Sequence, residues 1–164
     1  MDADVHPDVV PVAWLLGTWR GEGVGGYPTI EDFRYGQEVR FSHDGRAVLA
    51  YASRSWLLDD VGAVLRPAAT ETGYWRPQPD GTIEVVLAHP TGFAEIWIGT
   101  VTGTRIEVHT DVVARTGTAK EVNAGHRLYG LVGADLLYAY DMAAVGHALQ
   151  PHLSARLAKV GAEG

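Results

Sequence analysis

Gly17-Thr18-Trp19-Arg20-Gly21-Glu22-Gly23 is the stretch on which the fold turns. It reads Gly-x-Trp-x-Gly-x-Gly. Glycines at these positions let a strand bend sharply and let a neighbouring backbone come close. Trp19 supplies a large apolar plug for the corner so made. The segment therefore reads as the first strand of a sheet that curls round to close on itself. A short helix is expected before it. Asp8 is placed to cap a helix through about Leu16, with Val9, Val12, Ala13 and Leu16 on one face, and Gly17 ends it.

Downstream of Gly17 the signals are those of strands. Residues 29–41 carry Ile30, Phe33, Tyr35, Val39 and Phe41, and Asp44-Gly45 then marks a hairpin. In the return run 46–58, Ala47, Leu49, Tyr51 and Ser53 share one face, and Val48, Ala50 and Ala52 the other. Asp80-Gly81 separates 70–77 from 82–89, Thr91-Gly92 leads into 93–101, and 104–114 alternates around Ile106, Val108 and Thr110. Runs 119–129 and 135–142 follow, parted by Gly130 to Ala134. Residues 143–160 are open to either element, because Leu149, Leu153, Leu157 and Val160 fit helical spacing while Pro151 disfavours helix at Gln150. About ten strands joined by short turns predict an all-β, antiparallel, up-and-down barrel with a short N-terminal helix. Closure removes the exposed edges of such a sheet, and a barrel of this size has room for a small molecule.

The chain has 164 residues, the length of one domain, read as residues 1–164. Hydrophobic residues at 46% and charged residues at 20% are ordinary for a globular protein and speak against disorder. The net charge of −7 opposes binding to phosphate backbones, so no nucleic-acid partner is expected. No apolar run is long enough to span a bilayer. The start Met1-Asp2-Ala3-Asp4-Val5-His6-Pro7, read as a loose end, lacks the pattern of a signal peptide, which points to a cytosolic protein. The absence of cysteine removes disulfides, thiolate nucleophiles and thiolate metal sites. Any metal must be held by His, carboxylate, Tyr or Met. There is no Gly-x-Ser-x-Gly, no His-Glu-x-x-His and no phosphate-cradling loop.

The motif of Gly17, Trp19, Gly21 and Gly23 resembles the start of the nitrobindin family, and further segments match in order. They are Gly26-Tyr27-Pro28-Thr29-Ile30, Tyr35-Gly36-Gln37-Glu38-Val39, Phe41-Ser42-His43, Glu71-Thr72-Gly73-Tyr74 and Leu87-Ala88-His89-Pro90-Thr91-Gly92. Ala119-Lys120-Glu121-Val122, Met142-Ala143-Ala144-Val145-Gly146 and His152-Leu153-Ser154-Ala155 complete the series, which spans about residues 14–160. The resemblance implies a ten-stranded antiparallel barrel that binds haem b with the iron open to solvent on one side. It makes His152 the axial ligand and sole catalytic candidate, sets Lys120 beside the haem, and suggests a homodimer. The activity it implies is isomerisation of peroxynitrite to nitrate at ferric haem, with nitric oxide as a further ligand.

Taken alone, His152 reads first as an exposed histidine of a last strand; the whole-chain resemblance reverses that preference. Neutral imidazole is a good donor to haem iron. Lys120 divides evenly between a propionate partner and a solvated strand lysine. His147 and His152 do not read as a metal pair, since no carboxylate completes the set. His43, His89, His109 and His126 fall on separate strands, with His43 or His89 placed to approach the pocket mouth. The five tryptophans read as core and corner residues, and Tyr138, Tyr140 and Met142 as one inward face. Two other functions fit the same barrel. One is a carrier in which Arg or Tyr holds a ligand carboxylate, and the other a haem protein that stores or senses nitric oxide without turnover.

Overall fold

The computed structural model describes residues 4–161. Ten strands form one closed antiparallel barrel in which each strand pairs with the next and β1 pairs with β10. They are β1 Gly17–Tyr27, β2 Ile30–Ser42, β3 Leu49–Leu58, β4 Val64–Pro77 and β5 Thr82–Ala88, then β6 Phe93–Thr102, β7 Arg105–Arg115, β8 Val122–Val132, β9 Asp135–Ala144 and β10 Gln150–Lys159. The open reading of 143–160 resolves as the end of β9, a connection over 145–149 and the strand β10. That assignment closes the barrel, because β10 pairs with β1 from Trp19↔Lys159 to Gly25↔Leu153. No helix among the described residues is long and apolar enough to cross a membrane.

The connections sort by end. Turns between β2–β3, β4–β5, β6–β7 and β8–β9 lie with the N-terminal segment at one end. Tight hairpins there need left-handed backbone, which Gly45 (φ 89°) and Gly81 (φ 85°) adopt without a Cβ clash. This end is sealed by the expected short helix, Val10–Leu15, which is of the 3-10 type. Its Val12 and Leu15 are fully buried with Val9. Trp19 fills the corner as its motif implies, and its indole N–H donates to the Leu15 carbonyl at 2.8 Å. Asp8 does not cap this helix; Val9 occupies the N-cap with no side-chain bond, and the Asp8 amide donates to His6 Nδ1. Ala13 and Leu16 are only partly buried. Val5, read as part of a loose end, packs against the core.

Inward positions follow the two-residue period. Leu49, Tyr51 and Ser53 of β3 are buried, as are Tyr138, Tyr140 and Met142 of β9. Phe41, Trp75, Ile83, Ile106, Leu136 and Leu157 fill the interior towards the sealed end. Each such side chain contributes about 1.5–3 kcal/mol by leaving water. Trp75 and Trp97 belong to this core and the half-buried Trp14 packs against it, but Trp56 does not. Trp56 lies outside, over Gly36 and beside the guanidinium groups of Arg20 and Arg54.

At the opposite end the connections 28–29, 59–63, 89–92, 116–121 and 145–149 surround an opening. Pairing between β4 and β5 stops at Thr72↔Ala88, and that between β7 and β8 at His109↔His126. The walls therefore separate towards this rim. The interior left there is where a site forms.

Candidate functional site

His152 reaches the rim cavity because β10 breaks its alternation. Leu153, Ala155 and Leu157 point inward, so a regular strand would turn residue 152 outward. Pairing with β9 steps from Pro151↔Asp141 to Leu153↔Tyr140 and leaves His152 as an extra residue. Such a bulge re-aims a side chain. The imidazole consequently sits between two buried tyrosines, with ring centroids 5.5 Å from Tyr27 and 5.6 Å from Tyr140, both edge-on.

One nitrogen of this ring is committed. Nδ1 lies 2.9 Å from the carbonyl oxygen of Gly26, one residue beyond the last β1–β10 pair. A carbonyl only accepts, so Nδ1 carries the proton and Nε2 keeps a lone pair. Burial lowers the imidazole pKa below 6.5. The Gly26 contact acts in the opposite sense and is outweighed, while Lys120 and Arg127 add to the lowering. The ring is therefore neutral at neutral pH, the form that binds metal.

The cavity measures about 630 Å³, inside the range of roughly 300–1,000 Å³ usual for small-molecule sites. Phe33, Leu57, Pro67, Tyr138 and Leu153 give it apolar walls. Tyr35 and Gln37 also line it, and the Tyr35 hydroxyl and Gln37 Oε1 are buried without a hydrogen-bond partner. Lys120 and Arg66 stand at its margin. Lys120 is exposed and lies in the β7–β8 connection, not on a strand, as β8 begins at Val122. These features fit a haem: one imidazole lone pair, apolar walls for a flat macrocycle, and cations at the edge for its carboxylates.

Glu71, which also lines this cavity, belongs to an ionic cluster inside the barrel that the strand reading passed over. Arg127 is 2% exposed and donates to Glu71 at 2.7 and 3.1 Å, while the Tyr51 hydroxyl donates to Glu71 at 3.0 Å. The guanidinium lies over the rings of Tyr140 and Trp97, 4.5 and 4.7 Å from their centroids. Burial alone would raise the Glu71 carboxyl, but Arg127 beside it wins and holds it below its ordinary value. Parity would have found Arg127, since it shares the inward face of β8 with Tyr129.

The other histidines separate. His89 pairs with the fully buried Glu95 at 2.6 Å and stacks on Phe93, away from the lining of the His152 cavity. His43 accepts from the Gly45 amide, and His126 faces Glu107 and Asp141 on the surface. His147 flanks Tyr27 at 5.7 Å. Among the described residues no group of three or more His, Asp or Glu side chains is arranged to hold a metal ion.

Residues 8–159 match the family model described as "THAP4-like, heme-binding beta-barrel domain". The chain is 56% identical over 156 residues to a protein of Nocardioides sp. named "Peroxynitrite isomerase", covering 95% of each. It is 50% identical over 172 residues to a "Ferric nitrobindin-like protein" of Kineococcus radiotolerans, covering 96% of each. The solved structure of Rv2717c from M. tuberculosis superposes with a TM-score of 0.86 at 42% identity, covering 96% of this chain and 100% of the other.

Proposed function

Since the chain belongs to the family of THAP4-like, heme-binding β-barrel domains, we propose that it is a haem-dependent isomerase converting peroxynitrite to nitrate, with His152 as the axial donor to haem b. The observation that supports this most is the protonation state of His152. Its Nδ1 proton is engaged by Gly26, its pKa is lowered, and Nε2 is left as a donor in a side chain that lines the cavity.

When bound, haem b supplies a ferric Lewis acid at which peroxynitrite rearranges to nitrate, the two anions having the same atoms and charge. The chain does the rest. His152 presents a lone pair at a fixed orientation, because Gly26 holds its far nitrogen and two tyrosine rings pack against it in T-shaped pairs. Phe33, Leu57 and Leu153 keep water from the buried side of the cavity. Lys120 places positive charge at the margin, where it neutralises a haem carboxylate and draws a small anion towards the opening. The Arg127–Glu71 pair is balanced, so the interior offers no net positive charge to retain nitrate. Nitric oxide is a second small ligand on this reading, and the assembly is a homodimer in the cytosol.

A carrier of fatty acids is less well supported. Its carboxylate would need an Arg or Tyr within the barrel; the buried arginine already holds Glu71, which leaves the neutral Tyr35 hydroxyl for that role. The test is to load the protein with haemin, record the visible spectrum and follow peroxynitrite decay with nitrate yield by stopped flow. His152→Ala should lose the spectrum and the rate together; a variant that keeps both overturns the assignment. Stoichiometric nitric oxide binding without nitrate turnover would point instead to a storage protein.

A further inference from the structure

Tyr27 ends β1, directly after the glycine whose carbonyl takes the His152 ring proton. Its hydroxyl is buried and reaches across to the end of β9. There it accepts from the Ala144 amide at 2.9 Å and lies 3.0 and 3.3 Å from the carbonyl oxygens of Met142 and Ala144. A hydroxyl has one proton to donate, and these two carbonyls compete for it. The residue after Ala144 is strained. Val145 sits at φ 52°, a left-handed conformation that β-branched residues rarely adopt and that lasts only where the surroundings enforce it. The chain then returns through Gly146 to β10 and the bulge at His152.

Resting on the reading of His152 as the haem ligand, we propose that Tyr27 is the positioning residue of this site: its hydroxyl pins the strained β9–β10 connection to β1 while its ring braces the imidazole. One residue thus touches both things that set the direction of His152. The ring, in a T-shaped pair with centroids 5.5 Å apart, limits rotation of the imidazole. The hydroxyl fixes where β10 begins. Gly26 and Tyr27 are neighbours on β1, so the carbonyl that orients Nδ1 and the ring that braces it move as one unit.

Tyr27→Phe tests this, since it keeps the ring and removes only the hydroxyl. Two readouts are taken. In the haem-free protein, nitrogen NMR of the His152 imidazole reports which nitrogen holds the proton. In the haemin-loaded protein, titration and the iron–imidazole stretching band report affinity and bond geometry. The variant should show a mixed tautomer, a shifted or broadened band and a dissociation constant raised about 10-fold, the low end for losing an outer partner of a metal ligand. Adding Val145→Gly, which relieves the left-handed strain, should restore much of the affinity to Tyr27→Phe and do little to the parent. A folded Tyr27→Phe with unchanged tautomer, band and affinity overturns the proposal. So does a loss that Val145→Gly leaves untouched, which would mark Tyr27 as structural only. His152→Ala, measured alongside, separates the two claims. If it keeps the haem spectrum the ligand assignment fails; if it loses haem while Tyr27→Phe is silent, only the role of Tyr27 falls.

Discussion

Arg127 and Glu71, 56 residues apart, join β8 to β4 across the barrel interior through two N–H···O bonds of 2.7 and 3.1 Å. Their side chains are 3% and 16% exposed. Removing one partner of such a pair is costlier than the pair is stabilising, because the other charge stays buried. Arg127→Met is expected to destabilise the fold by about 3 kcal/mol, lowering the melting temperature by roughly 6–12 °C. Adding Glu71→Gln should recover much of that. The pH dependence carries a signature. In the parent the Glu71 carboxyl is held below 4.5, so its contribution is present above 4.5 and fades as pH falls through the lowered value. In Arg127→Met the carboxyl is raised, and the deficit should shrink as the solution is acidified towards 4.5. Melting curves from pH 4 to 8 for the three proteins check this.

For His152 the sign is that of a depressed histidine. The unfolded chain takes up the proton near 6.5, and the folded chain only at lower pH. Stability is therefore complete above 6.5, declines as pH falls towards the folded value, and is flat below it as far as this group is concerned. A His152→Gln variant should lack that decline, and NMR titration of the haem-free parent should give a midpoint below 6.5 for this ring. A midpoint above 6.5 would mean that the bond to the Gly26 carbonyl, which favours the protonated ring, outweighs burial.

The barrel was legible in the sequence because its turns carry their own chemistry. Asp44-Gly45 and Asp80-Gly81 announce hairpins, and a register of two between them fixes which residues face inward. The family was legible through ordered motifs along the whole chain. His152 as a residue of interest came from that resemblance alone; periodicity assigns it to the outer face, and only the bulge beside Pro151 brings it in. Parity marks Arg127 as inward, but its partner, like those of Gly26 and Tyr27, was hidden for a related reason. The roles of Gly26, Tyr27 and Arg127 depend on partners 126, 115 and 56 residues away, and no local pattern encodes such a meeting. A short helix at the start was legible, but not that it winds as a 3-10 helix. Six residues with proline in the first turn and no side-chain cap are too short to sustain the wider α turn.

Lys120 decides between two ordinary fates of an exposed lysine. It lines the margin of the cavity and carries no ion pair among the described residues. If it meets a haem carboxylate, Lys120→Ala should raise the haemin dissociation constant about 2- to 5-fold at low ionic strength, the scale of an exposed ion pair. The difference should vanish at about 1 M salt, where screening acts within a few ångströms. Equal affinities at both salt concentrations would make it a solvated surface residue.

Gly21 tests whether the opening motif is structural in the way its spacing implies. A Cβ there would run into the backbone carbonyl of Arg156 and stand 2.9 Å from Leu157 Cα, both on β10. Neither is the free end of a side chain, so the two strands must separate to admit a methyl group. Gly21→Ala should destabilise by roughly 1–3 kcal/mol, the range for an overpacked contact. Gly117→Ala is the matched control, since a Cβ there meets nothing within 4 Å and its φ is not left-handed; its melting temperature should stay within about 2 °C of the parent, as for other surface changes. The seam that Gly21 keeps closed also bears Gly26 on one strand and His152 on the other. Gly21→Ala should therefore weaken haemin binding along with the fold, although residue 21 lies outside the cavity lining. A variant that melts early yet binds haemin as tightly as the parent would show that the closure of β1 on β10 and the orientation of the imidazole are independent.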